Sequence, residues 1–343
     1  MTKIKIALTG GGTGGHVFPL LSVYNHLKNE NLDFVWIGEK NSLEQKIALE
    51  NNIEFHSIMS GKIRRYFDLK NFFDPFKIIF GVFQSLYYIV KYDINIIFSK
   101  GGFVSVPACI AGKILGKKIY IHESDTVMGL SNKIIARLAT KVFFTFDNSL
   151  IDGKKYIKSS QILNPKLIEN IQDKLEKNEK QEILVMAGSQ GSKIIFENLL
   201  EIIGEFPNTN FTIILGEKNT SFRKNFEKFP NTKLYDFISQ EELATVMQKA
   251  DISITRAGAT SIWEQYYFGI IQIIIPLKNS AGNHQFHNAM YFQKHFDSIV
   301  LEESENLGNN LKLELEKLEN YRKEKLNLSR FSDGLEVIKK EIL

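Results

Sequence analysis

The chain has 343 residues, 43% of them hydrophobic and 24% charged, with a single cysteine, Cys109. That length exceeds one ordinary core and predicts two domains, the composition is that of a soluble globular protein, and one thiol excludes an internal disulfide framework. The net charge of +4 is uneven: residues 1–150 carry 18 Lys and Arg against 12 Asp and Glu, and the remainder is slightly acidic. A basic first half suits an anionic partner, but the charge is too dilute to suggest nucleic acid.

No secretory signal follows Met1, and the longest apolar stretch, residues 76–90, is interrupted by Lys77 and Gln84. It is too short to span a bilayer, so the chain is expected in the cytoplasm with membrane contact left open.

The first segment reads strand, glycine turn, helix. Residues 4–8 form a short apolar run, and Leu20, Leu21, Tyr24 and Leu27 carry helical spacing. Between them stand Gly10, Gly11, Gly12, Thr13, Gly14, Gly15 and His16. Glycines let backbone N–H groups approach an anion, and a helix N-terminus adds a favourable dipole. Gly10, Gly12 and Gly15 also satisfy the dinucleotide-binding spacing, with Glu39 as a possible ribose ligand, whereas His16 occupies the lysine position of a Walker A loop. The dipole favours an uncharged imidazole at His16, able to accept a proton.

Further strands are predicted at residues 34–37, 53–57, 94–98, 118–122 and 141–145, with helical patterns between most of them. Such alternation implies a parallel sheet covered on both faces. Gly101 and Gly102 follow the 94–98 strand, and His122, Glu123, Ser124 and Asp125 end the next. Three loops at one sheet edge thus carry glycine, imidazole and carboxylates.

Asp74 can cap a helix with Pro75 at its first position. Phe76, Ile79, Phe80, Phe83, Tyr87 and Val90 then form one helical stripe, which is expected to face a core. The residues before it, Lys62, Arg64, Arg65, Tyr66, Phe67, Lys70, Phe72 and Phe73, mix bases with aromatics and suit an anionic membrane surface.

Residues 152–181 are rich in Lys, Asn and Glu and read as a domain boundary, with a short helix near 167–175. The strand and turn grammar then restarts. Strands are predicted at residues 182–187, 211–215, 233–237, 251–255 and 271–275, and helices at 192–203 and, from the capping box at Ser239 and Glu242, to about Ala250. Gly188-Ser189-Gln190-Gly191 and Arg256-Ala257-Gly258-Ala259-Thr260-Ser261 are again small-residue turns suited to a diphosphate, and Glu264 lies one helical turn further on. Asn283, His284 and Gln285 offer amide and imidazole donors for a sugar. The fold class expected is α/β, two tandem doubly wound Rossmann-like domains facing a cleft. Their bounds are residues 1–163 and 164–330, with a last helix in 331–343 that could return to the first domain.

Gly11 to Pro19, Gly101 to Pro107, His122-Glu123, the turns at 188–191 and 256–260, and 283–285 together resemble, in order and spacing, the MurG family of GT-B glycosyltransferases. The resemblance covers nearly the whole chain. It implies inverting transfer of N-acetylglucosamine from UDP-GlcNAc to an undecaprenyl-diphosphate-linked MurNAc-pentapeptide, at the inner face of the cell membrane, with no cofactor and no metal. It further implies that Glu264 holds the ribose, Ile238 meets the uracil, and Ser189 with Ala259, Thr260 and Ser261 holds the diphosphate. Gln285 and His284 would bind the sugar. Thr13, Gly14, Gly15, Gly101 and Gly102 would face the acceptor diphosphate, Asp125 the acceptor sugar, and His16 or Glu123 would be the base. Two positions depart from the family: Asp125 replaces a common asparagine, and Lys166-Leu167 follows Pro165 where an arginine is usual. Another GT-B transferase with a lipid acceptor is the nearest alternative; an NAD-dependent oxidoreductase would leave the second set of turns unexplained.

Overall fold

The computed structural model of the chain describes residues 3–61, 70–164, 167, 179–188, 191–216, 218–278, 280–324, 326 and 334–343. The chain divides into two compact units, residues 1–163 with 333–343, and residues 164–332.

In the first unit the strands are β1 (Ile4–Gly10), β2 (Leu32–Gly38), β3 (Glu54–Ser57), β4 (Ile96–Gly101), β5 (Lys118–Glu123), β6 (Lys141–Phe144) and β7 (Tyr156–Lys158). They form one sheet in the order β3-β2-β1-β4-β5-β6-β7, parallel throughout. The helices between them are α1 (Gly14–Leu27), α2 (Leu43–Glu50), α3 (Lys70–Lys91), α4 (Ser105–Ile114) and α5 (Leu130–Leu138). Both sheet faces are covered. Ile6, Leu8, Trp36 and Phe98 pack with Val17, Leu20 and Val23 of α1 on one side; Ala7, Ile37, Ile97 and Ile121 pack with Ile89, Cys109 and Ile135 on the other. Each fully buried Val, Leu, Ile or Phe among them contributes about 1.5–3 kcal/mol, which is why the central strands read as mainly apolar runs.

The second unit repeats this plan with β8 (Gln181–Met186), β9 (Thr209–Ile214), β10 (Thr232–Tyr235), β11 (Ile252–Thr255), β12 (Ile271–Ile274) and β13 (Ser298–Val300). Its parallel sheet runs β10-β9-β8-β11-β12-β13. Its helices include α6 (Lys193–Ile202), α7 (Gln240–Lys249), α8 (Ala259–Tyr267), α9 (His284–His295) and α10 (Leu307–Lys317). The Ser239–Glu242 capping box at the start of α7 forms as the spacing predicts.

The last helix, α11 (Gly334–Ile342), belongs to the first unit. Leu335, Ile338 and Ile342 enter the α1 side of the core. Glu336 meets His26 at 2.9 Å, Lys339 meets Glu30 at 2.6 Å, and Lys141 meets Glu341 at 2.9 Å.

Three expectations change. Asp74 is not an N-cap: α3 already runs from Lys70, and Pro75 lies inside it. The Asp74 backbone is pressed against Gly61, where a Cβ would collide with it. The stripe of Phe76, Ile79, Phe80, Phe83, Tyr87 and Val90 does not face the core; these residues are 54–66% exposed. The opposite face of α3 is buried instead, through Gly81, Ser85 and Ile89. A Cβ on Gly81 would strike the Met59 carbonyl and come within 3.2 Å of Pro107, so the small residues let α3 approach α4 closely and the large ones are left outside. The stretch read as a boundary begins too early, because β7 lies within it and pairs with β6. Three-residue strands such as β7 and β13 are too short to carry a period. The helix expected at 167–175 falls outside the described residues apart from Leu167, which is buried.

Candidate active site

In both sheets the strand order reverses between two neighbours, β1 and β4 in the first, β8 and β11 in the second. Ligands of open parallel sheets bind beyond the carboxyl ends of strands at such a point. All four of these strands end in the small-residue turns singled out above.

In the first unit, Gly12 takes φ +89° and Thr13 is extended at the start of α1. The Thr13 carbonyl accepts from the His16 and Val17 amides, closing the first helical turn. The Thr13 hydroxyl stands 3.1 Å from Nδ1 of half-buried His16. Gly102, at φ +81°, comes so near that a Cβ would lie 2.7 Å from the Gly11 carbonyl. Gly101 likewise leaves room for the Asn132 carboxamide. The two glycine turns therefore touch backbone to backbone.

Glu123 is buried under these turns with both oxygens engaged. Oε1 accepts from the Asp125 amide at 3.0 Å; Oε2 accepts from the Gly129 amide at 3.3 Å and Asn132 Nδ2 at 2.9 Å. Burial first, then Asp125, raises its carboxyl above the usual range. His122 is fully buried, donates from Nε2 to the Ser160 carbonyl at 3.2 Å, and is held well below the usual imidazole range by burial and then by Lys100. Lys100 itself is buried, donates to the Ser124 hydroxyl, and is brought down to about 8 by burial against the opposing pull of Glu123 and Asp125.

Glu44 was not anticipated. It is buried in the first turn of α2, accepts from the Glu39 amide at 3.3 Å, and packs where a Gly11 Cβ would otherwise be. Glu39, the ribose ligand considered above, is half-buried beside it and raised by burial and then by Glu44.

In the second unit, Gly188 and Gly191 both adopt positive φ, while Ser189 and Gln190 lie outside the described residues. Ala259, Thr260 and Ser261 form the first turn of α8, and no acidic residue within that turn offsets the positive end of the helix dipole. Glu264 is buried one turn further on, and burial pushes its carboxyl up to about 8. Ile238 is buried beyond β10. His284 and Gln285 open α9, where Gln285 Oε1 accepts from the Leu277 amide at 3.0 Å. Next to them a cavity of about 170 Å³ is lined by Leu277, Lys278, Asn283, Phe286 and Glu303, among others.

Two further anchors were missed because their partners are distant in sequence. Arg256 meets Glu303 at 2.6 Å and donates to the Ile275 carbonyl and to the Ser192 hydroxyl at 2.7 Å, tying the two switch-point turns together. Asn288 of α9 donates to the Ala257 carbonyl at 3.1 Å. Phe72 and Phe73 fall within α3, but their side chains, and Lys62 to Phe67 entirely, lie outside what is described. Among the described residues no group of three or more His, Cys, Asp or Glu side chains could hold a metal ion, and no helix is long and apolar enough to cross a membrane.

Residues 6–144 match the glycosyltransferase family 28 N-terminal domain and residues 182–342 the glycosyltransferase family 28 C-terminal domain. Two Rossmann-like units, each with small-residue turns at its switch point, define a glycosyltransferase of the GT-B type. A Clostridium perfringens (strain SM101 / Type A) protein named UDP-N-acetylglucosamine--N-acetylmuramyl-(pentapeptide) pyrophosphoryl-undecaprenol N-acetylglucosamine transferase is 37% identical over 99% of both chains. A Clostridium botulinum (strain Langeland / NCTC 10281 / Type F) protein of the same name is 39% identical over 88% of this chain and 87% of its own. The chain belongs to glycosyltransferase family 28, in its MurG group. The crystal structure of Acinetobacter baumannii MurG shares the fold, with a TM-score of 0.75 at 24% identity over 92% of this chain and 91% of that one. So does UDP-GlcNAc 2-epimerase from Methanocaldococcus jannaschii, with a TM-score of 0.65 at 12% identity over 99% of each chain.

Proposed function

We propose that the protein transfers N-acetylglucosamine from UDP-GlcNAc, with inversion, to undecaprenyl-diphosphate-linked MurNAc-pentapeptide (lipid I), giving lipid II for peptidoglycan. The observation that carries this reading is the near-full-length identity to transferases named for that reaction, across both domains. The second unit takes the donor. The α8 N-terminus, through Ala259, Thr260 and Ser261 with Ser189, holds the diphosphate; Glu264 holds the ribose, Ile238 the uracil, and Gln285 with His284 the sugar.

The first unit takes the acceptor. Its glycine turns, with Thr13, Gly14, Gly15, Gly101 and Gly102, receive the lipid-linked diphosphate, and Asp125 meets the acceptor sugar. The acceptor hydroxyl attacks the anomeric carbon from the side opposite UDP. The bond from that carbon to the phosphate oxygen breaks, and UDP leaves with the electron pair, its new charge met by the α8 dipole. His16 takes the hydroxyl proton. Glu123, already committed to three donors, shapes the loop from 123 to 129.

UDP release from UDP-GlcNAc in the presence and absence of a lipid I analogue tests the reading. Release that depends on the analogue is expected; binding of NADH without binding of UDP-sugars would overturn it.

The acceptor is a membrane lipid, and the exposed face of α3 suits its location. Six large apolar side chains share that face, with Lys77 and Lys91 exposed along it. This face rests on the anionic inner leaflet, lysines toward headgroups and rings toward acyl chains, as a peripheral contact.

A further inference from the structure

Glu123 and Asp125 bring two carboxylates to the end of β5, beside the glycine turns. The three donors that Glu123 receives are all neutral, so they meet its hydrogen-bonding capacity without balancing its charge. Burial and Asp125 both work against its ionised form.

Lys100 supplies the missing charge. It lies in β4, the strand next to β5, and is 2% exposed. Its Nζ is anchored on the hydroxyl of Ser124, the residue between the two acids, and both carboxylates attract it. Its Cβ lies 3.3 Å from where a Cβ on Gly10 would be, so the side chain starts directly beneath the first glycine turn. Packing alone does not explain this lysine. A methionine would fill the same volume without the several kcal/mol that burying an ammonium costs.

We propose that Lys100 is a positioning residue of the acceptor half-site, the counter-charge that holds Glu123 and Asp125 side by side and so keeps the 123–129 loop in the shape that receives the acceptor's hydroxyls. This rests on reading the first unit as the acceptor domain. Both Glu123 and Asp125 act electrostatically on Lys100, so loss of the cation or of the acid at 125 changes the charge balance at this loop.

A double-mutant cycle tests it, with kcat and KM measured separately for donor and acceptor analogue. Lys100→Met is expected to raise the acceptor KM at least about tenfold and leave the UDP-GlcNAc KM within about twofold. Asp125→Asn alone is expected to impair acceptor use as well. Lys100→Met/Asp125→Asn, which removes one charge of each sign, is expected to be clearly less impaired in acceptor KM than the product of the two single effects, and Lys100→Arg to retain partial function. Removing a buried ammonium endangers folding, so Ser124→Ala, which takes away only the anchor, gives an independent reading through a several-fold rise in acceptor KM. A double variant as impaired as the product of the singles, or Ser124→Ala with wild-type acceptor KM, would overturn the proposal. Wild-type protein that releases no UDP with the lipid I analogue refutes the acceptor reading itself, a result distinct from either.

Discussion

The Thr13 hydroxyl and His16 Nδ1 lie 3.1 Å apart within the first turn of α1. Contact at Nδ1 fixes the ring, and when Nδ1–H donates to Thr13, the lone pair that can accept a proton resides on Nε2. His16→Ala is therefore expected to lower kcat by about 10²–10⁴, with the UDP-GlcNAc KM little changed. Thr13→Val, which keeps the ring but not its tether, should cost about tenfold. Steady-state kinetics decide, and a His16→Ala enzyme with wild-type kcat removes the base from the mechanism.

Glu264 carries a pH signature. Burial pushes its carboxyl up to about 8, so the unliganded site holds it neutral at pH 7. Ribose hydroxyls donate to the ionised form, so binding releases a proton, and affinity for UDP-GlcNAc should rise with pH toward about 8, by at most about tenfold per unit. In the native state the group keeps its proton above the ordinary value of 4.5, so this residue's contribution to stability falls as pH rises from there to about 8. Calorimetric titration in buffers of different ionisation heat measures the released proton. Affinity that stays flat between about pH 6 and pH 8, or a slope that survives Glu264→Gln, contradicts the assignment.

The Arg256–Glu303 pair has both side chains nearly buried, 12% and 13% exposed, and ties the turn after β11 to the segment after β13, while Arg256 also donates to Ser192 at the end of the turn after β8. Glu303→Ala leaves a guanidinium without its counter-ion, at a cost of about 3–5 kcal/mol. A lower melting temperature for the second unit and weaker UDP-GlcNAc binding are expected together. If scanning calorimetry detects no loss, the pair is not what holds these turns.

For the membrane face, Phe80→Ser/Phe83→Ser should reduce co-sedimentation with vesicles containing anionic phospholipid while leaving UDP-GlcNAc binding intact. Both side chains are more than half exposed, so the fold is expected to tolerate the change. Undiminished vesicle binding would place the contact elsewhere.

Much of the architecture is legible locally. The apolar runs of β1, β4, β8 and β11 and the glycines that end them announce parallel strands feeding anion-binding turns, because strand burial and positive φ leave marks in adjacent residues. The capping box at Ser239 and Glu242 is legible for the same reason. The side of α3 that faces the core is not. Periodicity reports that one side is apolar and is silent on what lies opposite; here Gly81 and Ser85 take the interior because α4 approaches closely, and Phe80 and Phe83 are left outside.

By itself, then, the sequence determined the two doubly wound domains, their turns and the residue types offered to a nucleotide sugar and a lipid diphosphate. Tertiary structure alone decided that Lys100 is buried beside Glu123 and Asp125, that Glu44 packs on Gly11, that Arg256 reaches Glu303, and that α11 joins the first unit. Each of these pairs residues from different elements. A contact of that kind has no local period or cap to announce it, because its partner is chosen by how strands and helices pack.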